Sequence, residues 1–380
     1  MPDSPLTLRA LNRATLARQM LLAREQTSVL GAVEKLLALQ AQQAKPPFIG
    51  LWSRVAGFER DALQVLLQRK EVVRATLMRG TLHLASAEDY RHLRASFTPL
   101  LEASVASVLR ERAKGLDVAP LVKEARAFFD EAPRTFEALR DHLVARHPQN
   151  DERAMGFAVR MFLPLIQVPT ETEWGYPGTT DFAVAESWLG APLRAEADLP
   201  TLVQRYLAAF GPASVTDAQT WSGLKGLKST FEALRPSLRT FRDEKGRELF
   251  DLPKAPRPDE DTAAPARFLP EFDSLVLGHE DRARLVDDAY RSKLITKNLR
   301  VPATFLVDGF IAGTWTVERK RAAATLVVEP FAPIKKKDRD ALVKEGEALL
   351  RFMEPEARTF EVRGQLEHDV PPEADEAHSA

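Results

Sequence analysis

Residues 37–47 read LALQAQQAKPP: three glutamines among small and apolar residues, between a helical pattern and two prolines. Glutamine does not ionise. Its chemistry is that of a neutral dipole, with a carbonyl oxygen that accepts hydrogen bonds and an NH2 group that donates two. The spacing admits two arrangements. If the helix carrying Val29, Val33, Leu36 and Leu37 runs on through Gln42, Gln40 continues the apolar stripe and Gln42 points roughly the opposite way; the glutamines are then the polar end of a surface helix. If residues 40–42 are extended, as Pro46 and Pro47 favour for residues near them, a period of two puts Gln40 and Gln42 on one side with Ala41 behind. Two amides then converge on one spot. There they can orient a water molecule and direct partial negative charge at a developing cation.

Other chemistries are poorly served. There is no cysteine, which excludes disulfides, zinc–thiolate sites and thiol nucleophiles and fits a cytoplasmic location. The seven histidines are scattered with no His-Glu-x-x-His pair, so neither a metal site nor a cofactor is expected. Neither a Gly-rich phosphate loop nor a Gly-x-Ser-x-Gly elbow is present. No apolar run is long enough to span a membrane, and the first residues lack the apolar core of a signal peptide.

The 380 residues, 44% hydrophobic and 28% charged, describe a globular chain of two or three domains. A net charge of −1 argues mildly against a nucleic-acid partner, but clustering on one face matters more than the total. Basic residues do cluster, in RSKLITKNLR (291–300) and ERKR (318–321), while acids gather in PRPDEDTAAP (256–265) and in the tail 366–380, which reads as disordered.

The elements that would position the glutamines follow from periodicity. After helices in the first seventy residues comes VVRATLMRGTLHLAS (72–86), β-branched and alternating, with Arg79-Gly80 at its turn. Helices followed by a two-stranded wing describe a winged helix, which inserts a helix in a groove and lays the wing along the backbone. PRTFEALRDHLVARH (133–147) repeats the logic, with Thr135 as N-cap. So does 202–253, with Thr216 as N-cap and a hairpin turning at Lys245-Gly246. Residues 303–331 hold three strands with Asp308-Gly309 as a tight turn; one helix and a further candidate strand, TFEVRGQ, complete a barrel-like β-rich part. The reading is an α+β chain of tandem winged-helix units at 1–115, 116–200 and 201–253, a linker at 254–267, a C-terminal β-rich domain at 268–365 and the tail 366–380.

Five stretches, LLALQAQQAKPPFIGLWSRV, VVRATLMRGTLHLASAEDY, YLAAFGPASVTDAQTWSGL, RFLPEFDSLVLGHEDR and LVDGFIAGTW, resemble in sequence and order the AlkZ/AlkX (YcaQ) winged-helix DNA glycosylases, over roughly residues 6–365. The resemblance implies three tandem winged-helix units and a β-rich part around a DNA-sized cleft. It also implies a catalytic motif, Gln–apolar–Gln in the AlkZ branch and Gln–apolar–Asp in the AlkX branch, which falls here on Gln40, Ala41 and Gln42 and places the chain nearer AlkZ. The small Ala41 is expected to loosen the packing behind the pair. The implied activity is hydrolysis of the N-glycosidic bond of N7-alkylguanine, bulky adducts and crosslinks included, in an open cleft. The partner would be double-stranded DNA carrying alkylated purines, met by a monomer in the cytoplasm at the nucleoid. The chemistry is consistent: an N7-alkylated guanine is already cationic and leaves without protonation, so a preorganised dipole and a placed water are enough.

Candidate DNA contacts are Arg54, after the prolines; Arg79, at the wing turn; His83, on the wing strand; and Arg319, Lys320 and Arg321, at a hairpin tip. Asp273 is expected to hold structure by hydrogen bonding, and Trp52, Trp221 and Trp315 to be core. The competing class is a non-catalytic winged-helix DNA-binding protein, such as a regulator. The glutamine pair favours the enzyme.

Overall fold

The structure, a computed structural model, describes residues 4–294 and 301–364. Most of the basic run 291–300 and the whole acidic tail 366–380 lie outside the described residues.

Six short strands, β1 (Leu39–Gln40), β2 (Val72–Thr76), β3 (Leu82–Ser86), β4 (Arg134–Thr135), β5 (Leu165–Gln167) and β6 (Asp181–Val184), form one antiparallel sheet in the order β1-β3-β2-β5-β6-β4. The wing expected at 72–86 is therefore the middle of a larger sheet. All of β2 is buried. One face packs Val73, Ala75 and Ile166 against Tyr206, Phe210 and Trp221; the other packs Val72 and Leu84 against Val33, Phe48 and Leu51. Burial on both faces explains a strand without polar positions, apart from Arg74 and Thr76.

Several helix starts are fixed by side-chain caps. Thr135 caps Phe136–Arg146 as expected. The helix Val215–Ser222 is capped by Ser214 and not by Thr216, because Ser214 is extended and Asp217 returns the second bond of a capping box. Beyond it, β7 (Arg239–Arg242) and β8 (Glu248–Asp251) pair as the expected hairpin.

The last five strands, β9 (Arg267–Leu269), β10 (Thr304–Val307), β11 (Phe310–Lys320), β12 (Ala323–Pro330) and β13 (Thr359–Gly364), form a second sheet in the order β13-β12-β11-β10-β9. Asp308 and Gly309 both have positive φ, 47° and 80°, at the two-residue turn between β10 and β11. The pair β12–β13 is parallel, which demands a crossover; the helix Lys336–Met353 provides it. That helix lies so close to the sheet that a Cβ on Gly346 would come within 2.9 Å of Val362. The expected barrel does not form among the described residues. The sheet is open, with β9 and β13 as its edges, because the crossover helix covers the face that a barrel would have closed upon.

The helix Leu8–Arg18 joins these parts through buried polar side chains. Arg18 makes a two-pronged ion pair with Asp251, at 2.7 and 2.8 Å. Arg9 and Arg13 bond the main chain of Glu260 and Thr262, so the Pro-rich stretch after residue 254 is laid along this helix. No helix among the described residues is long and apolar enough to cross a membrane.

Candidate active site

The helix Val29–Lys35 begins at Ser28, whose side chain accepts from the Gly31 amide, and ends abruptly. Leu37 has φ 67°, a left-handed conformation that costs a leucine roughly 1–2 kcal/mol. It turns the chain out of the helix and into β1. The prolines act differently from expectation: Lys45 is helical, and Pro46 and Pro47 open the helix Pro46–Trp52, where proline suits the first turn. Extension at 39–41 thus comes from Leu37 and from pairing with β3.

Gln40 lies opposite His83, and Leu39 opposite Leu84. The Ala41 amide donates to Leu82 O at 2.7 Å. Arg74 Nε donates to the Ala41 carbonyl at 2.8 Å, and Arg74 Nη2 to the Gln42 carbonyl at 3.2 Å. Ala41 is fully buried. Its small side chain leaves no looseness, because the backbone is held on both sides. Gln40 Oε1 accepts from Arg79 Nη2 at 2.7 Å, and Gln42 Oε1 accepts from the Leu82 amide at 3.3 Å. Both side chains turn toward the 79–82 segment: Gln40 is buried and locked, Gln42 exposed. The third glutamine, Gln43, donates through Nε2 to Glu271 at 2.9 Å.

Gln40, Arg54, Glu271, Asp273 and Ser274 border a recess of about 10 Å³. That is room for a water molecule and far too little for a base.

The charges around the motif are mostly positive. Arg74 and Arg79 are both held near a pKa of about 10 by burial, still well above neutrality, so both stay charged. Among the described residues neither meets a carboxylate; Arg74 instead lies 4.8 Å over the Tyr176 ring. A guanidinium with only neutral partners away from bulk water is unusual, and here two, Arg74 buried and Arg79 half-buried, flank one three-residue motif. Their field favours anionic backbone near the glutamines. It leaves the Gln42 carbonyl and Glu271 as the local sources of negative potential.

Of the residues nominated as DNA contacts, three are turned inward. Arg54 is buried in a two-pronged pair with Asp273, at 2.7 and 2.9 Å, so it is not available to a phosphate; Asp273 has the structural role expected of it. Arg79 is spent on Gln40 and on the carbonyl of Trp221. His83 is 1% exposed. Its Nδ1 meets the Thr81 carbonyl at 2.9 Å and so carries the proton. The other three remain outside. Lys320 and Arg321 are exposed at the β11–β12 turn. Arg319 pairs with Glu354 and Glu356. Glu354 also takes Lys45 at 3.3 Å, which ties this hairpin to the loop carrying the glutamines. Trp221 and Trp315 are buried; Trp52 is half-buried, stacked on Phe352 under Arg24.

Sequence reading passed over Arg74, Gln43 and Glu271. Arg74 had a signal, a charge in the middle of an otherwise apolar strand. Glu271 had none, since only the fold brings it to the motif. Among the described residues no group of three or more His, Asp or Glu side chains could hold a metal ion.

Burial, and then the Arg79 charge, push His83 from its ordinary 6.5 down to about 3. Burial and Arg284 do the same to His279, despite the opposing pull of Asp217. Both are neutral in the folded protein, while the unfolded chain binds protons below about 6.5. Stability is therefore whole above that pH and is lost as pH falls toward 3. We expect a melting temperature level from about pH 7 to 8 and falling steadily from about pH 6.5 to 4. A flat melting profile across that acid range would contradict the burial of these histidines.

Comparisons with known proteins agree on one relationship. The family model described as DNA glycosylase AlkZ-like matches residues 33–352. An interstrand DNA cross-link repair glycosylase of Streptomyces sahachiroi is 26% identical over 361 residues, covering 88% of this chain and 93% of its own. The solved structure of the Streptomyces sahachiroi DNA glycosylase AlkZ superposes with a TM-score of 0.75 at 22% identity, over 95% of this chain and all of the other. A family match over most of the chain, on a fold of the same α+β kind, shows that this protein belongs to the AlkZ-like DNA glycosylases, hydrolases of N-glycosyl bonds.

Proposed function

We propose that this glycosylase releases N7-alkylated guanine from double-stranded DNA, bulky adducts and interstrand crosslinks included, with Gln40 and Gln42 as the catalytic pair. The observation that carries the reading is the pair itself: Gln40 locked by Arg79 and Gln42 open to solvent, on a main chain pinned at Ala41 from both sides. Placing one water against C1′ needs that rigidity. The departing base takes the electrons of its glycosidic bond and leaves neutral. The sugar passes through a state resembling an oxocarbenium ion, which the Gln42 carbonyl faces. Neutral amides are too weak to drive out an unmodified purine, so the substrate range is limited to bases that are already cationic.

The relative named for cross-link repair supports this breadth, bulky lesions being read in an open cleft and not in the water-sized recess at Gln40. In this reading the helix groups with the antiparallel pairs β2–β3, β5–β6 and β7–β8 act as winged-helix units within 1–115, 116–200 and 201–253, and Lys320 and Arg321 enter a groove. The protein works as a monomer in the cytoplasm, on nucleoid DNA. The direct test is DNA with a single N7-methylguanine, incubated with the protein and then treated with alkali. A strand break at the lesion and none in unmodified DNA is the expected result. Tight binding without a break would replace this reading with that of a non-catalytic DNA-binding protein.

DNA affinity should fall steeply with salt although the net charge is −1. Each phosphate neutralised contributes about −0.9 to the slope of log K against log salt. A salt-independent affinity would indicate a partner other than DNA.

A further inference from the structure

The hairpin turn that carries Arg79 is built to present one side chain to the motif. Arg79 and Gly80 both have positive φ, 55° and 70°, the conformation of a two-residue turn of the kind that matches strand twist. The Thr81 amide closes it on the Met78 carbonyl at 3.1 Å. The turn then docks on the end of the helix Val215–Ser222: a Cβ on Gly223, which caps that helix at φ 81°, would lie 3.2 Å from the Arg79 backbone. Arg79 Nη1 donates to the carbonyl of Trp221 in the last helical turn, where carbonyls lack intrahelical partners and a cation is favoured. With one end of the guanidinium anchored there, the other, Nη2, meets Gln40 at 2.7 Å.

A guanidinium only donates hydrogen bonds. The atom of Gln40 that faces it must be the carbonyl oxygen, and the NH2 group must face away. A flipped amide would set N–H against N–H beside a buried charge. We propose that Arg79 is a positioning residue, which holds Gln40 as a hydrogen-bond donor toward the substrate water while Gln42 supplies the accepting carbonyl. The two glutamines are then unequal. A water between them takes a hydrogen bond from Gln40 and gives one to Gln42, which fixes the direction of its remaining lone pair. This rests on the reading of the glutamines as the catalytic pair.

Variants at positions 40, 42 and 79 test it by single-turnover release of N7-methylguanine at saturating protein, beside a DNA-binding titration at several salt concentrations and a thermal melt. Q40E keeps size and shape, pairs more strongly with Arg79, and cannot donate. It should melt no lower than wild type and lose excision on the order of 10²-fold. Wild-type or faster excision by Q40E overturns the proposal, since it would mean that negative charge is what position 40 supplies. R79M frees the amide to flip and should slow release about tenfold, the loss of one positioned hydrogen bond, with DNA affinity and salt slope unchanged; R79K should recover part of that rate. If R79M instead weakens binding, lowers the salt slope by about one and leaves the saturated rate intact, Arg79 is a phosphate contact and the proposal fails. It fails equally if R79M changes only the melt. Q42A separates this failure from that of the underlying reading: a rate unchanged in Q42A and Q40A removes the catalytic pair altogether, whereas a slow Q42A beside an active Q40E removes only the polarity assigned here.

Discussion

Replacing Gln42 by alanine lowers single-turnover release of N7-methylguanine by about 10²–10³-fold and leaves DNA affinity close to wild type. On the proposed reading, binding comes from basic side chains such as Lys320 and Arg321, which the substitution does not touch, and catalysis depends on one preorganised carbonyl, which it removes. The Gln42 side chain is exposed and, among the described residues, its hydrogen bonding is limited to a 3.3 Å contact with the Leu82 amide, so the fold has little to lose. The Gln42 main-chain carbonyl, bonded to Arg74, is preserved in alanine. Gln40→Ala should slow the reaction similarly but disturb the site more, because it strips Arg79 of the one side-chain acceptor it has among the described residues. The double variant should fall short of the product of the two, as expected of groups sharing one water. Excision at the wild-type rate by Gln42→Ala would leave the glutamines as a structural strand end and send the search for the catalyst to Glu271.

Asp273→Ala should cost about 3–5 kcal/mol of stability, as removing one partner of a buried ion pair does. The Arg54 and Asp273 side chains are 1% and 3% exposed. Two short bonds join them, and Asp273 Oδ1 also caps the helix Ser274–Leu277 by accepting from the Leu275 amide. Without the carboxylate, Arg54 keeps, among the described residues, the Gly50 carbonyl at 3.0 Å and a long contact with Gln19. The pair joins the helix just after the motif to the segment carrying Glu271, so its loss should also loosen the recess beside Gln40. Denaturant unfolding measures the effect: the midpoint should drop with the slope unchanged. A loss under about 1 kcal/mol is what an exposed pair would give and would argue that Arg54 is free to reach DNA after all. Replacing both residues with apolar ones of similar volume should restore most of the stability.

Much of the scaffold was legible because it depends on short-range chemistry. The turns at Arg79-Gly80 and Asp308-Gly309 take positive φ at both residues and the one at Lys245-Gly246 at its glycine; each carries the glycine that such a backbone favours. Thr135 caps a helix because its hydroxyl meets an amide three residues on. Ser214 was missed in favour of Thr216 because either hydroxyl could serve; the backbone conformation and the return bond from Asp217 decided. Extension was expected over residues 40–42, whereas the strand is Leu39–Gln40; Leu37, whose strained turn no propensity predicts, does what the spacing credits to Pro46 and Pro47.

By itself the sequence determined the glutamine spacing, the hairpins around it, the absence of thiol chemistry and, through long matching stretches, the family. Only the tertiary structure decided which charges face water. Arg54, Arg79 and His83 read as surface groups because arginine and histidine usually are, and their partners, Asp273, Trp221 and Thr81, are selected by packing between segments as much as 219 residues apart. The open C-terminal sheet has the same cause. Strand pattern states what can pair, but the crossover helix, by covering one face, decides that the edges do not meet.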